Sequence, residues 1–148
     1  VVKFVVIGDG PLKNRFEKYA ENKSVYVDFT GKMSYEKMVG LLCSCDITIN
    51  PIKKGSAGSI INKVGDYALS GLPVINTQEC EEYRDLIEQY KCGINCEVGS
   101  VKEIANAIEK LALDKDLRGR MGKRSRELGD ERFDRRKTYS AIASLFEN

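Results

Sequence analysis

Uninterrupted apolar runs and helical-period runs alternate along this chain of 148 residues. Lys3-Phe4-Val5-Val6-Ile7 is apolar nearly throughout, the pattern of a parallel strand covered on both faces. Gly8-Asp9-Gly10-Pro11 turns it into a helix running to about Glu21, with Pro11 suited to the first helical position and Leu12, Phe16, Tyr19 and Ala20 facing inward. Val25 to Phe29 reads as the next strand, ended by Thr30-Gly31. Ser34 then caps a helix to about Leu42, with Lys37 where a full capping box would have Glu.

Asp46 to Asn50 patterns as a third strand, stopped by Pro51. A Gly/Ser loop from Lys53 to Ser59 leads into a helix over about Ile60 to Ser70, and Pro73 to Asn76 is again a strand. An acidic helix over Glu79 to Tyr90 and a short strand at Gly93 to Cys96 follow. Ser100 caps a helix to about Leu113, with Ile104, Ala107, Ile108 and Leu111 on one face. Helices over about Lys115–Leu128 and Arg135–Phe146 close the chain. Strands separated by helices predict an α/β fold with a doubly wound, Rossmann-like parallel sheet and right-handed crossovers, in one domain spanning residues 1–148.

Composition narrows the classes. Hydrophobic residues at 42% with 31% charge are those of a folded globule. A net charge of +2 argues neither for nor against a nucleic-acid partner, which would need a clustered basic face, and none is expected. No apolar run reaches the ~20 residues of a membrane span. Five cysteines and no histidine suggest reduced thiols serving as small hydrophobes in a cytoplasmic protein. The lack of histidine removes Ser-His-Asp and Cys-His catalysis and argues against a metal site.

Candidate chemistry centres on Ser59 to Ile75. Lys63 and Asp66, three apart, share one helix face. The Lys suits a phosphate and the Asp suits hydroxyls, as a nucleoside diphosphate at a helix N-terminus would require. Other motifs fail on inspection. Gly8-Asp9-Gly10 opens a dinucleotide fingerprint whose third glycine would fall on Lys13. Lys53 to Ser59 lacks the Gly-Lys-Ser/Thr order of a P-loop. Asp114-Lys115-Asp116 follows a helix and reads as a cap, not a metal motif. Residues 115–137 hold ten Lys/Arg against five Asp/Glu, a solvated helical face. A membrane-surface patch is the alternative, with apolar anchors sparse.

With those residues in place, the chain resembles the C-terminal, donor-binding half of a GT-B glycosyltransferase of retaining family 4 (glycosyltransferase group 1), of the surface or capsular polysaccharide type. Ile7-Gly8-Asp9-Gly10-Pro11 resembles the family's "I-G-x-G-P", and Phe29-Thr30-Gly31 its "F-x-G". Cys45 to Pro51 resembles "A-D-[IV]-x-[IVL]-x-P", and Asp66 to Ile75 resembles "E-[AY]-x-A-x-G-x-P-V-[IV]". The family's Glu-x7-Glu pair falls on Gly58 and Asp66, so the first Glu is missing and the second shortened. Ser59, Lys63, Asp66 and Tyr67 instead follow a subgroup pattern, "S-x-P-x-K-x-x-E-Y-x-A-x-G".

The resemblance implies transfer of a sugar, with retention, from a nucleotide sugar, UDP-linked, to a polysaccharide or lipid-linked glycan. Lys63 and Asp66 would be the catalytic residues. Gly8, Gly10, Gly31, Lys32, Ser59 and Ile60, together with Lys63 and Asp66, would bind the donor. Asp66 would hold the ribose hydroxyls, the amides around Ser59 and Ile60 the diphosphate, and the backbone just after Gly31 would face the base. No metal or other cofactor is implied. The chain opens on Val1 directly in a strand and is expected to be a fragment, inactive alone, lacking a first β-α unit and an N-terminal acceptor domain. A peripheral contact with the inner face of the membrane and a dimer of the fragment are the further partners expected. The alternatives are a nucleotide-sugar 2-epimerase and a non-catalytic, degenerate donor domain.

Overall fold

Parallel strand pairing organises both compact units of the chain, residues 1–41 and 42–148. The computed structural model describes residues 1–56 and 58–144. Ala57 of the Gly/Ser loop and the predicted helix end at Phe146 therefore lie outside the described residues.

In the first unit, β1 (Phe4–Ile7) pairs with β2 (Val27–Gly31) around α1 (Lys13–Asn22), and α2 (Tyr35–Cys43) follows. The register slips between Val6 and Ile7, and Gly8 and Gly31 close the ladder as an isolated bridge. Ser34 caps as predicted, its Oγ accepting from the Lys37 N–H at 3.4 Å. Three expectations need correction. Pro11 stays in the turn, and α1 begins at Lys13 after Leu12. Leu12, Phe16 and Tyr19 are 51%, 53% and 64% exposed, so of the predicted inward face Ala20 alone is buried. β1 is not covered on both faces either, since Val6 is exposed. Periodicity marks an apolar stripe correctly but cannot say what covers it, and a two-stranded ladder offers little surface to do so.

The second unit holds β3 (Thr48–Asn50), α3 (Lys63–Leu69), β4 (Val74–Asn76), α4 (Glu81–Tyr90), β5 (Gly93–Asn95), α5 (Val101–Leu113), α6 (Lys115–Leu128) and α7 (Arg135–Ser144). The strands run parallel in the order β3-β4-β5, with Asn50, Asn76 and Asn95 in register at their carboxyl ends. β4 shows why the sheet is covered twice. Successive side chains point to opposite faces. Val74 enters a core with Val64 and Ala68 of α3, Tyr83 and Ile87 of α4 and Leu128 of α6. Ile75 enters a second core with Ala107 and Leu111 of α5, against which Ile104 and Ile108 pack as predicted. Fully burying a side chain such as Ile75 or Leu111 contributes about 1.5–3 kcal/mol.

The predicted caps of α5 and α6 both form. Ser100 Oγ accepts from the Glu103 N–H at 3.4 Å, and Asp114 Oδ1 accepts from the Leu117 N–H at 2.8 Å. A short π-helical turn, Gly129–Phe133, follows α6 in the stretch between the last two predicted helices. It lies against α3: Gly129 is buried, a methyl group there would stand 2.8 Å from the Leu69 amide nitrogen, and Arg126 donates to the Leu69 carbonyl at 2.8 Å. The helix predicted from Ile60 begins instead at Lys63. Ile60 and Ile61 pack on the first core from non-helical backbone, and the Ser59 carbonyl is bound by the Gln78 side chain. Ser59 is thus not at the helix N-terminus.

Candidate functional site

The candidate residues divide between the two units, and each half has its own geometry. In the first unit, the strand end Ile7-Gly8 meets the strand end Thr30-Gly31. Gly8 has φ +131° and Gly31 φ +72°, values that L side chains rarely adopt, and the Gly8 N–H donates to the Gly31 carbonyl at 3.0 Å. Thr30 Oγ1 lies 3.4 Å from the Val6 carbonyl and 3.2 Å from that of Gly31, tying the same two strand ends. Gly10 is exposed, and its carbonyl accepts from the Lys13 N–H at 3.0 Å. Lys32 is exposed. The structure thus brings Gly8 and Gly31 together, with Lys32 following directly.

Lys13 joins them. Its Nζ lies 3.5 Å from where a methyl group on Gly31 would stand and 3.8 Å from Glu17. Sequence reasoning met Lys13 only as the residue that spoils a dinucleotide fingerprint. Its placement beside a positive-φ glycine turn depends on how α1 returns along β2, which no local pattern reports.

In the second unit, Lys63 is the first residue of α3 and exposed, and Asp66 lies a turn further on, half-buried. Tyr67 next to it is held above the usual phenol range, first by burial and then by the Asp66 charge. Ser59 is exposed and Ile60 half-buried, in the approach to the helix. These four residues are therefore close in the chain and share one short helix and its lead-in.

What sequence reasoning missed lies beneath them. Asn50, Asn76 and Gln78 are fully buried, with no measurable exposure. Asn50 Nδ2 donates to Asn76 Oδ1 at 2.9 Å and to Gln78 Oε1 at 3.3 Å. Asn76 Nδ2 donates to Asn95 Oδ1 at 3.0 Å and to the Gln78 carbonyl at 3.2 Å. Asn95 Nδ2 continues to the Arg84 carbonyl at 3.1 Å and Glu88 Oε1 at 3.2 Å. Buried amides of this kind are costly unless paired, and here each donor has its acceptor. Among the described residues, Asn50 Oδ1 is the buried side-chain acceptor left without a hydrogen-bond partner. A signal was available: the three strands each end in Ile-Asn, at Ile49-Asn50, Ile75-Asn76 and Ile94-Asn95.

The ladder sits at the carboxyl ends of β3, β4 and β5, where open parallel sheets receive ligands. A cavity of 410 Å³ lies at the other end of the sheet, where Asp46 precedes β3 and Pro73 opens β4, with Lys115, Arg118, Lys123 and Arg126 of α6 along it. Its arginines serve the fold: Arg118 binds Asp46 at 3.5 Å and the Leu111 carbonyl at 2.7 Å, and Arg126 pairs with Asp130 at 3.1 Å. Arg118, Arg124, Arg126 and Arg136 of the basic run form ion pairs, and Lys115, Arg120 and Lys123 are exposed, as in a solvated helical face.

The cysteines are free thiols: Cys80, Cys92 and Cys96 are buried and Cys43 is exposed. Burial pushes the Cys92 thiol up to about 11, so it stays protonated and unreactive near neutral pH.

Residues 1–128 match the family described as glycosyl transferases group 1. The chain is 27% identical over 131 residues to the GDP-mannose-dependent alpha-(1-6)-phosphatidylinositol monomannoside mannosyltransferase of Mycobacterium tuberculosis, covering 83% of this chain and 33% of the relative. It is 27% identical over 146 residues to the N-acetyl-alpha-D-glucosaminyl L-malate synthase of Bacillus anthracis, covering 97% of this chain and 37% of the relative. The chain spans about a third of the length of these curated relatives. Among solved structures it superposes on HepE of Anabaena in complex with UDP with a TM-score of 0.83, at 18% identity over 99% of this chain and 41% of that one. The same protein has been solved with UDP-glucose, with a TM-score of 0.81. At that identity the likeness shows the fold, an α/β GT-B architecture with a Rossmann-like parallel sheet.

Proposed function

The chain belongs to the group 1 glycosyltransferases, and from that membership we propose that it is the donor-binding domain of a retaining enzyme that takes its sugar from a UDP-sugar. The observation that carries the reading is the Lys63–Asp66 pair on α3, beside a Gly/Ser stretch anchored at the carboxyl ends of β3 and β4. Lys63 supplies a positive charge to the diphosphate and Asp66 accepts from the ribose hydroxyls. The amides around Ser59 and Ile60 add backbone donors. In the first unit, Gly8, Gly10 and Gly31 are assigned to the donor, and the backbone just after Gly31, at Lys32, to its base.

In the retaining transfer, negative charge grows on the departing diphosphate. Fixed donors aimed at that charge lower the barrier without a bound metal, because they need no reorganisation as the bond breaks. The acceptor, a polysaccharide or lipid-linked glycan, is held by a further domain of the whole protein, and the chain alone is inactive. Bringing donor and acceptor into one cleft is worth about 7–11 kcal/mol of barrier, and that requires both walls. The whole enzyme works in the cytoplasm at the inner membrane face. Among the described residues no helix is long and apolar enough to cross a membrane.

The UDP assignment draws support from the ligands of HepE, whereas the mycobacterial relative is named for GDP-mannose. Calorimetry of the full-length protein with UDP, UDP-glucose, UDP-N-acetylglucosamine and GDP-mannose decides between them. Binding of a UDP-sugar, followed by transfer that persists in EDTA, is the expected result. A preference for GDP-mannose overturns the base assignment, and no binding of any of the four overturns the donor site.

A further inference from the structure

Two consecutive side chains on the connection leaving β4 hold both ends of the stretch from Ile52 to Ser59. Thr77 Oγ1 accepts from the Ile52 N–H at 2.8 Å, and its own proton lies within reach of the Ile52 carbonyl at 3.0 Å and the Asn50 carbonyl at 3.2 Å. Gln78 Nε2 donates to the Ser59 carbonyl at 2.5 Å. Thr77 is 3% and Gln78 0% exposed. Gln78 is itself locked by the asparagine ladder, its Oε1 accepting from Asn50 and its N–H donating to Asn76 Oδ1 at 3.0 Å. Between the anchored ends, Lys53, Lys54, Gly55, Ser56 and Gly58 are all exposed.

We propose that Thr77 and Gln78 are positioning residues for a ligand diphosphate, acting through the backbone of the 52–59 stretch whose ends they fix. The inference rests on the donor-site reading above, which puts a diphosphate beside Ser59 and Ile60. A glycine- and serine-rich stretch loses much conformational freedom when its amides close on an anion. Anchoring both ends beforehand removes part of that loss, and so raises affinity without a new contact to the ligand. The anchoring side chains themselves are buried, where a lower local dielectric strengthens their hydrogen bonds.

Shape-preserving variants of the full-length protein test this. Thr77→Val removes the hydroxyl, Gln78→Met removes the amide, and Thr77→Ser keeps the hydroxyl. Trypsin cleavage at Lys53 and Lys54 without ligand reads the anchoring, and calorimetry with UDP reads the site. For Thr77→Val and Gln78→Met, cleavage is expected to be about fivefold faster or more, and UDP affinity about tenfold weaker. Thr77→Ser should match the unsubstituted protein in both. Lys63→Ala should weaken UDP with cleavage unchanged. Unchanged cleavage in Thr77→Val overturns the anchoring, and faster cleavage with unchanged UDP affinity overturns the positioning role. Failure of the unsubstituted protein to bind UDP or GDP overturns the donor site itself, and this inference with it. Should Gln78→Met not fold, the Thr77 pair decides by the same criteria.

Discussion

Asn50 and Asn76 are register partners at the carboxyl ends of neighbouring parallel strands, and the Nδ2 of the first donates to the Oδ1 of the second at 2.9 Å. Asn76 is the centre of the ladder, since it also donates to Asn95 and accepts from the Gln78 N–H. Removing its amide strands donors and acceptors in a fully buried place.

Asn76→Ala is therefore expected to destabilise the protein by about 2–5 kcal/mol, each stranded buried group costing about 1–3 kcal/mol. Urea unfolding followed by circular dichroism measures it. Asn95→Ala, at the half-buried end of the ladder, should cost less. A loss below about 1 kcal/mol for Asn76→Ala would mean that water takes over its hydrogen bonds.

Substitutions on α3 separate the proposed roles. Lys63→Ala should weaken UDP by about 1.5–3 kcal/mol, the strength of a charge-assisted contact, and uridine hardly at all. Asp66→Asn should weaken both by similar amounts, because both carry the ribose. Calorimetry with the two ligands checks this, and equal losses for Lys63→Ala would remove it from the diphosphate.

Two glycines of α6 should respond in opposite directions to the same change. A methyl group at Gly119 meets nothing within 4 Å, so Gly119→Ala should stabilise by about 0.5–1 kcal/mol through helix propensity. At Gly122 it would stand 2.4 Å from the Gly71 carbonyl oxygen, and Gly122→Ala should destabilise by about 1–3 kcal/mol as helix and turn part. Thermal melts of the pair give the sign directly.

Thiol labelling should rank the cysteines by burial. At about pH 8, near the ordinary thiol range, maleimide should modify exposed Cys43 quickly. Cys92, buried and pushed up to about 11, should react only on unfolding. Mass spectrometry of tryptic peptides after brief exposure, with and without urea, reads the order. Rapid native labelling of Cys92 would contradict its burial against α4.

Much of this structure is legible in the chain. Caps at Ser34, Ser100 and Asp114 were readable because a cap joins a side chain to an amide three residues away. The start of α3 was not, because what holds Ser59 outside the helix is a glutamine 19 positions later. The exposure of Leu12, Phe16 and Tyr19 was likewise hidden: periodicity reports that a helix has an apolar face, and not what that face meets.

For the candidate site, Lys63 and Asp66 could be named from helical spacing and from the block that runs to Ile75. Lys13, Thr77 and Gln78 could not. The order of elements, their parallel pairing and the family were determined by the sequence itself, since apolar periodicity, turn residues and short motifs act over a few neighbouring positions. Which polar residues lie buried, and what they hold, was decided only in the tertiary structure. An asparagine is stable inside a sheet only when its amide meets partners across the strands, and for Asn76 those partners are 26 positions before it and 19 after.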